Sequence, residues 1–167
     1  DGSIWFGTMR GMVVLDSNFV LKKELPTPGK HKEAVVLCET GRNEIMVANR
    51  EIFTISDPLG AKPVINQYLP FFSGKKICTL YKDTVGYLWV GTSDAVYRFN
   101  TKTNSLERVT HPDFAVRQHQ LNGLFVARDG TVFFCSENGL NYFRPVSVPG
   151  PEKRQPVYIT NITVNND

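Results

Sequence analysis

Short apolar runs alternate with short polar ones along this chain, and the runs recur in a fixed order. Four of them share one phrase. It reads Ile4-Trp5-Phe6-Gly7-Thr8, Ile45-Met46-Val47-Ala48-Asn49, Leu88-Trp89-Val90-Gly91-Thr92 and Val132-Phe133-Phe134-Cys135-Ser136. The copies begin at residues 4, 45, 88 and 132, which gives periods of 41, 43 and 44 residues. Self-similarity in the low forties signals stacked units rather than one irregular globule.

Each unit has the same parts. A turn rich in Gly, Asp and Asn precedes the phrase: Asp1-Gly2, Gly41-Arg42-Asn43, Asp83 to Gly86, and Asp129-Gly130. Glycine supplies positive φ in such turns, and Asp or Asn bonds back to nearby backbone. The phrase itself is apolar, bulky at its second position and small at its fourth. A further strand-like run follows at 11–16, 51–56, 95–100 and 139–144. An inner strand is expected before the turn at 33–39, 76–82 and 122–128, and a more polar outer strand at 19–25, 64–69 and 106–110. Four short antiparallel strands per period are the content of one β-propeller blade. A lone sheet cannot bury both faces, so the blades stack, with Trp5, Met46, Trp89 and Phe133 filling the space between sheets. The pattern predicts an all-β partial β-propeller of about four blades, an arc of a larger ring that is expected to have seven. The first unit lacks an inner strand and the last lacks an outer one, as expected of a portion of a longer propeller.

The 167 residues suffice for a sizeable core, and the net charge of +3 is spread along the chain with no basic run longer than a pair. That pattern argues against nucleic-acid contact by this segment. Three cysteines, Cys38, Cys78 and Cys135, show no CxxC spacing and are expected as buried thiols, with a Cys38–Cys78 disulfide as the alternative. No signal peptide, membrane span, metal-ligand cluster or cofactor motif is visible, so no cofactor is expected.

The phrase Asp83-Thr84-Val85-Gly86-Tyr87-Leu88-Trp89-Val90-Gly91-Thr92, followed by Val96-Tyr97-Arg98-Phe99-Asn100, closely resembles the two-component-regulator propeller repeat. Residues 1–8 with 11–16 match nearly as well, 129–134 with 138–140 form a degenerate copy, and the unit around Met46 departs most. After Pro145, Pro149, Pro151 and Pro156, the segment Pro156 to Asn165 alternates like a strand. It resembles the opening of the immunoglobulin-like domain that follows the propeller in hybrid two-component receptors of Bacteroides-type gut bacteria. The resemblance implies propeller blades over 1–145, a Pro-rich linker over 146–156, and the first strand of an immunoglobulin-like domain over 157–167. It further implies a periplasmic sensor region of an inner-membrane receptor whose histidine kinase lies elsewhere in the parent chain. Oligosaccharide ligands, contact with the remaining blades and the immunoglobulin-like domain, and homodimeric signalling come with it.

Propeller ligands commonly bind where the second-to-third-strand loops and the blade-to-blade loops converge. Sugar recognition wants planar hydrogen bonders and an aromatic platform. Arg10, Asn49, Arg50, Asp94, Glu137 and Asn138 supply the first, and Phe71 of the Phe71-Phe72 pair the second. The competing reading makes these ordinary loop residues, with the Phe pair buried under the next blade. No serine-hydrolase, zincin, P-loop or dinucleotide motif occurs, so the segment is expected not to be an enzyme. Asp94 and Glu137 as an acid–base pair are the remaining catalytic alternative. A scaffold that docks another protein or domain is the alternative to ligand sensing.

Overall fold

The structure is a computed structural model, and it describes residues 2–34, 36–93, 95–109, 123–136 and 139–144. The Pro-rich linker and the strand expected after it lie outside the described residues, as do His111, His119 and the 110–122 loop.

Fourteen strands form four antiparallel sheets. The first holds β1 (Ile4–Thr8), β2 (Gly11–Leu15) and β3 (Leu21–Leu25). The second holds β4 (Val36–Gly41), β5 (Glu44–Ala48), β6 (Ile52–Ser56) and β7 (Val64–Tyr68). The third holds β8 (Ile77–Lys82), β9 (Tyr87–Thr92), β10 (Val96–Asn100) and β11 (Ser105–Val109). The fourth holds β12 (Gly123–Val126), β13 (Val132–Ser136) and β14 (Gly139–Phe143). Each sheet is a meander in chain order. Among the described residues the helical content is one 3₁₀ turn, Pro70–Phe72. Among the described residues the strands expected of the four units form, shifted by a few residues at their ends.

The repeated phrase supplies β1, β5, β9 and β13, the strand next to the inner edge. Period-two alternation sends its side chains to opposite faces of the sheet. Met46, Ala48 and Ile52 therefore pack with Leu80, Leu88, Val90, Tyr97 and Phe99 of the third sheet. Ile45, Val47, Phe53 and Ile55 face the other way, onto Met12, Trp5 and Leu25 of the first. Trp89 and Val96 pack against Val126, Val132, Phe134 and Phe143 of the fourth. Three apolar layers thus alternate with the four described sheets, and the bulky second position of the first three phrases, Trp5, Met46 and Trp89, points toward the following sheet. Met46 and Trp89 are buried there, while Trp5 and Phe133 are half-buried. Backbone approaches between sheets run mainly through the inner strands: β4 beside β8, β8 beside β12, and β1 beside β4. Sheets that converge at their inner strands form a partial β-propeller.

The small fourth position has a steric cause in the first sheet. A Cβ on Gly7 would sit 2.3 Å from the Ala34 carbonyl oxygen, where the link to the second sheet crosses β1. The expectation fails at Cys135, which is exposed. Cys135 pairs across the ladder with Leu140, itself exposed, on the side of β13 away from Phe134, so this face of the fourth sheet meets no described sheet. Cys38 and Cys78 are free thiols, half-buried rather than fully enclosed. They do not pair because they belong to different layers, Cys38 between the second and third sheets and Cys78 between the third and fourth.

Candidate functional site

Among the described residues, hydrogen bonds link the loops that follow the first three phrases to the segments between sheets. The fifth position of these three phrases is the anchor. Thr8 Oγ1 donates to Gly11 O at 2.9 Å and accepts from Arg10 N at 3.2 Å. Thr92 Oγ1 donates to Ala95 O at 3.0 Å and accepts from Ala95 N at 3.1 Å. In the second sheet Asn49 replaces Thr, and its Oδ1 accepts from the backbone N–H of Arg50 and Glu51. The backbone carbonyls of these same residues receive the sheet-to-sheet links. Ala34 N donates to Thr8 O at 2.8 Å, and Ile77 N donates to Asn49 O at 2.9 Å. Gly74 N donates to Arg50 O at 2.8 Å, a further link between sheets, and within the third sheet Ser93 N donates to Lys76 O at 3.2 Å.

Asn49 is buried, and its Nδ2 donates to His31 O at 3.1 Å and Glu33 O at 3.0 Å. Its Nδ2 holds the 26–34 link on the second sheet, while its Oδ1 closes the β5–β6 turn. The residue expected as a ligand contact thus spends its hydrogen-bonding capacity on the protein's own backbone. Arg10 and Arg50 are exposed on the same loop face. Asp94, Glu137 and Asn138 lie outside the described residues.

The Phe pair is split by the 3₁₀ turn. Phe72 is fully buried, with its ring 5.1 Å from Tyr97 in an edge-to-face arrangement. Phe71 is 55 % exposed, held edge-on by Phe72 at 5.1 Å and Tyr97 at 5.7 Å. Lys75 Nζ lies 5.6 Å from the Phe71 ring centroid. An exposed ring braced by two neighbours at a loop junction is a preorganised apolar platform. Leu69, at φ 48°, turns the chain out of β7 into the 3₁₀ turn that carries both rings.

The residues missed from sequence are the lysines around the platform. The described loops of this face carry Arg10, Lys30, Lys32, Arg50, Lys75 and Lys76 against two carboxylates, Glu33 and Glu51. Glu33 lies 3.9 Å from His31 Nδ1. Glu51 Oε1 accepts from Gln67 Nε2 at 3.3 Å, and its Oε2 is sealed from solvent beneath Gly29. The opposite end is mixed, with Asp16, Asp57, Asp83 and Asp129 balanced by Arg42, Lys62, Lys102 and Arg128 in its turns, so among the described residues the cationic excess lies on the loop face. The sequence conceals this because the basic pairs are far apart along the chain and only the folded links bring them to one face.

A second concavity, of about 900 Å³, opens at that opposite end between the first two sheets, where Trp5, Cys38, Glu39 and Arg42 line it. Glu44, also on its wall, is bonded to Thr40 and Ser56. Burial pushes the Cys38 thiol pKa up, which keeps it protonated and unreactive. Among the described residues no group of His, Cys, Asp and Glu could hold a metal ion.

Four meander sheets converging at their inner strands define the class: a β-propeller array. Residues 72–94, spanning the platform turn, β8 and β9, match the two component regulator propeller family. The chain is therefore a propeller segment that carries a two component regulator propeller repeat. No curated protein sequence matches it.

Solved structures agree on the fold. The extracellular domain of a hybrid two component system from B. thetaiotaomicron aligns over 86% of this chain and 20% of its own, at 16% identity and TM-score 0.65. A second such domain from that organism aligns over 84% of this chain and 25% of its own, at 14% identity and TM-score 0.53. An inactive virginiamycin B lyase from Staphylococcus aureus with quinupristin aligns over 90% of this chain and 54% of its own, at 17% identity and TM-score 0.59. The chain spans about a fifth of the length of the first of these.

Proposed function

We propose that this chain is part of the periplasmic ligand-sensing region of a hybrid two-component receptor, responding to an oligosaccharide released by polysaccharide degradation. The carrying observation is the two component regulator propeller repeat at 72–94, in a fold shared with extracellular domains of hybrid two component systems. The site in this reading is the loop face around Phe71, Arg50 and Arg10, with Asp94, Glu137 and Asn138 as further contributors. Phe71 offers an apolar face to the C–H side of a sugar ring, and the arginines grip hydroxyl pairs.

In this reading the segment binds without transforming its ligand, and the kinase belongs to another part of the parent chain. Blades occupy 1–145, a Pro-rich linker 146–156, and the first strand of an immunoglobulin-like domain 157–167. The receptor works as a homodimer in the inner membrane, its sensor region in the periplasm. A ligand acts by favouring one dimer arrangement through contacts the other cannot make. The linker prolines transmit the change as a stiff strut.

Calorimetry of the complete ectodomain against a panel of glycan fragments tests this. Heat of binding with the sugar recovered intact is the expected result. Cleavage of the sugar overturns the sensor reading in favour of an enzyme. A silent panel favours a docking scaffold.

A further inference from the structure

Among the described residues the loop face carries more cations than carboxylates, and none of these cations, Arg10, Lys30, Lys32, Arg50, Lys75 and Lys76, is ion-paired. Contrast the other charged pairs of the molecule. Arg98 bonds Glu107 at 2.7 Å, and Arg144 bonds Asp129 at 2.7 Å. Unpaired like charges gathered on one face repel one another and cost stability, so an arrangement of this kind points to a counter-charge from outside.

The cations and the aromatic platform share one piece of structure. The Gly74 N–H on Arg50 O joins the turn bearing Phe71 to the turn bearing Arg50, and Lys75 is the next residue along. Lys75 Nζ already stands over the Phe71 ring. Arg50 and Lys75 therefore flank an exposed aromatic surface from two separate loops, each fixed by backbone hydrogen bonds. Among the described residues the two carboxylates of these loops are engaged elsewhere, Glu33 with His31 and Glu51 under Gly29. A neutral sugar would use the ring and leave two cations without partners. A sugar bearing a carboxylate or sulfate uses all three, because charge-assisted bonds from Arg and Lys are the strongest polar contacts available.

We propose that the ligand of this face is an acidic oligosaccharide, with uronate or sulfate groups held by Arg50 and Lys75 and a sugar ring set against Phe71. The inference rests on the oligosaccharide-sensing reading above and narrows it to a substrate class.

Calorimetric titration of the full chain with matched pairs separates charge from shape. The pairs are oligogalacturonate with its methyl ester, and a chondroitin sulfate oligosaccharide with its desulfated form. The charged member of at least one pair is expected to bind about tenfold or more tighter than its neutral match. That preference should shrink as salt rises, since exposed charges are screened beyond about 10 Å at 0.1 M ionic strength. Arg50→Ala and Lys75→Ala should each weaken binding by about tenfold with unchanged thermal melting. Lys62→Ala, at the opposite end, should bind like the parent.

Equal affinity for charged and neutral members overturns the acidic-ligand inference and leaves oligosaccharide sensing standing. Silence across both members of every pair overturns both. Charged binding untouched by the Arg50 and Lys75 substitutions overturns the placement. Equally tight binding of an RNA oligonucleotide shows attraction to any polyanion and overturns the sugar assignment.

Discussion

The Asp83 carboxylate accepts the Trp89 indole N–H at 2.9 Å through Oδ2, while its Oδ1 accepts the backbone N–H groups of Val85, Gly86 and Tyr87. One side chain thus closes the β8–β9 turn and orients the ring that fills the layer between the third and fourth sheets. Gly86, at φ 103°, lets the chain pass under the carboxylate. In this phrase the turn and the wedge, six residues apart, are one hydrogen-bonded unit. In the second and fourth sheets Met46 and Phe133 take the Trp position and cannot donate.

Asp83→Ala should cost about 2 kcal/mol or more, since it strands turn amides and a buried indole donor. Trp89→Phe keeps most of the apolar volume and should cost less than Trp89→Ala, which is expected to lose about 3–5 kcal/mol. Urea denaturation followed by tryptophan fluorescence or circular dichroism reads the order. An Asp83→Ala variant as stable as the parent would refute the coupling.

Phe71 and Phe72 are adjacent yet predicted to separate cleanly. Phe72→Ala empties a fully buried site and should destabilise by about 3–5 kcal/mol. Phe71→Ala removes an exposed ring with edge contacts only and should cost no more than about 1.5 kcal/mol, while abolishing glycan binding. Thermal melting and calorimetry on the same two variants decide this.

Gly7→Val should break the joint between the first two sheets. The new Cβ would overlap the Ala34 carbonyl oxygen, a backbone atom held by the neighbouring Ala34 N–H bond to Thr8 O. Overpacking against backbone costs about 1–3 kcal/mol. Hydrogen exchange should show the Ala34 amide losing protection. Normal protection there would count against the steric account.

The Asp129 carboxyl is held below its ordinary value of 3.8, first by the Thr131 backbone N–H, then by the Thr131 hydroxyl and Arg144. A depressed carboxylate contributes stability that is present above its unfolded pKa and is lost as pH falls through the folded value. Melting temperature should therefore decline below about pH 4, and Asp129→Asn should flatten part of that decline. An identical acid profile in the variant would remove Asp129 from the account.

Thiol reactivity should follow the layers. Cys135 is exposed and Cys38 is half-buried with a raised pKa, so a disulfide reagent at neutral pH should label Cys135 well before Cys38. Mass spectrometry of partly labelled protein reads the order, and Cys38 labelled first would contradict the packing.

The sheet content of this molecule was legible before any coordinates because it is local. Period-two alternation, turn residues at fixed offsets and a repeat in the low forties each constrain only neighbours along the chain. The wedges Met46 and Trp89 followed from the same pattern, since a two-faced sheet has to bury its bulky second position against another sheet. What failed were statements about a residue's far neighbours. Cys135 was expected to be buried from its place in the phrase, but burial needs a following sheet, and none of the described sheets covers it. Asn49 is a separate case, a candidate ligand contact by its place in the second-to-third-strand loop. Only the folded 26–34 link showed its amide fully bonded to the backbone.

Strand order, turn positions and the alternating faces were set by the sequence alone, because each depends on backbone sterics and on side chains within a few residues. The tertiary structure decided which of two adjacent phenylalanines is core and which is surface. It also gathered scattered lysines and arginines onto one end and gave the neighbouring carboxylates partners elsewhere. Those outcomes depend on how separate loops meet across sheets. That meeting is fixed by hydrogen bonds such as Gly74 N–H to Arg50 O, whose partners are distant in sequence and carry no signature in it.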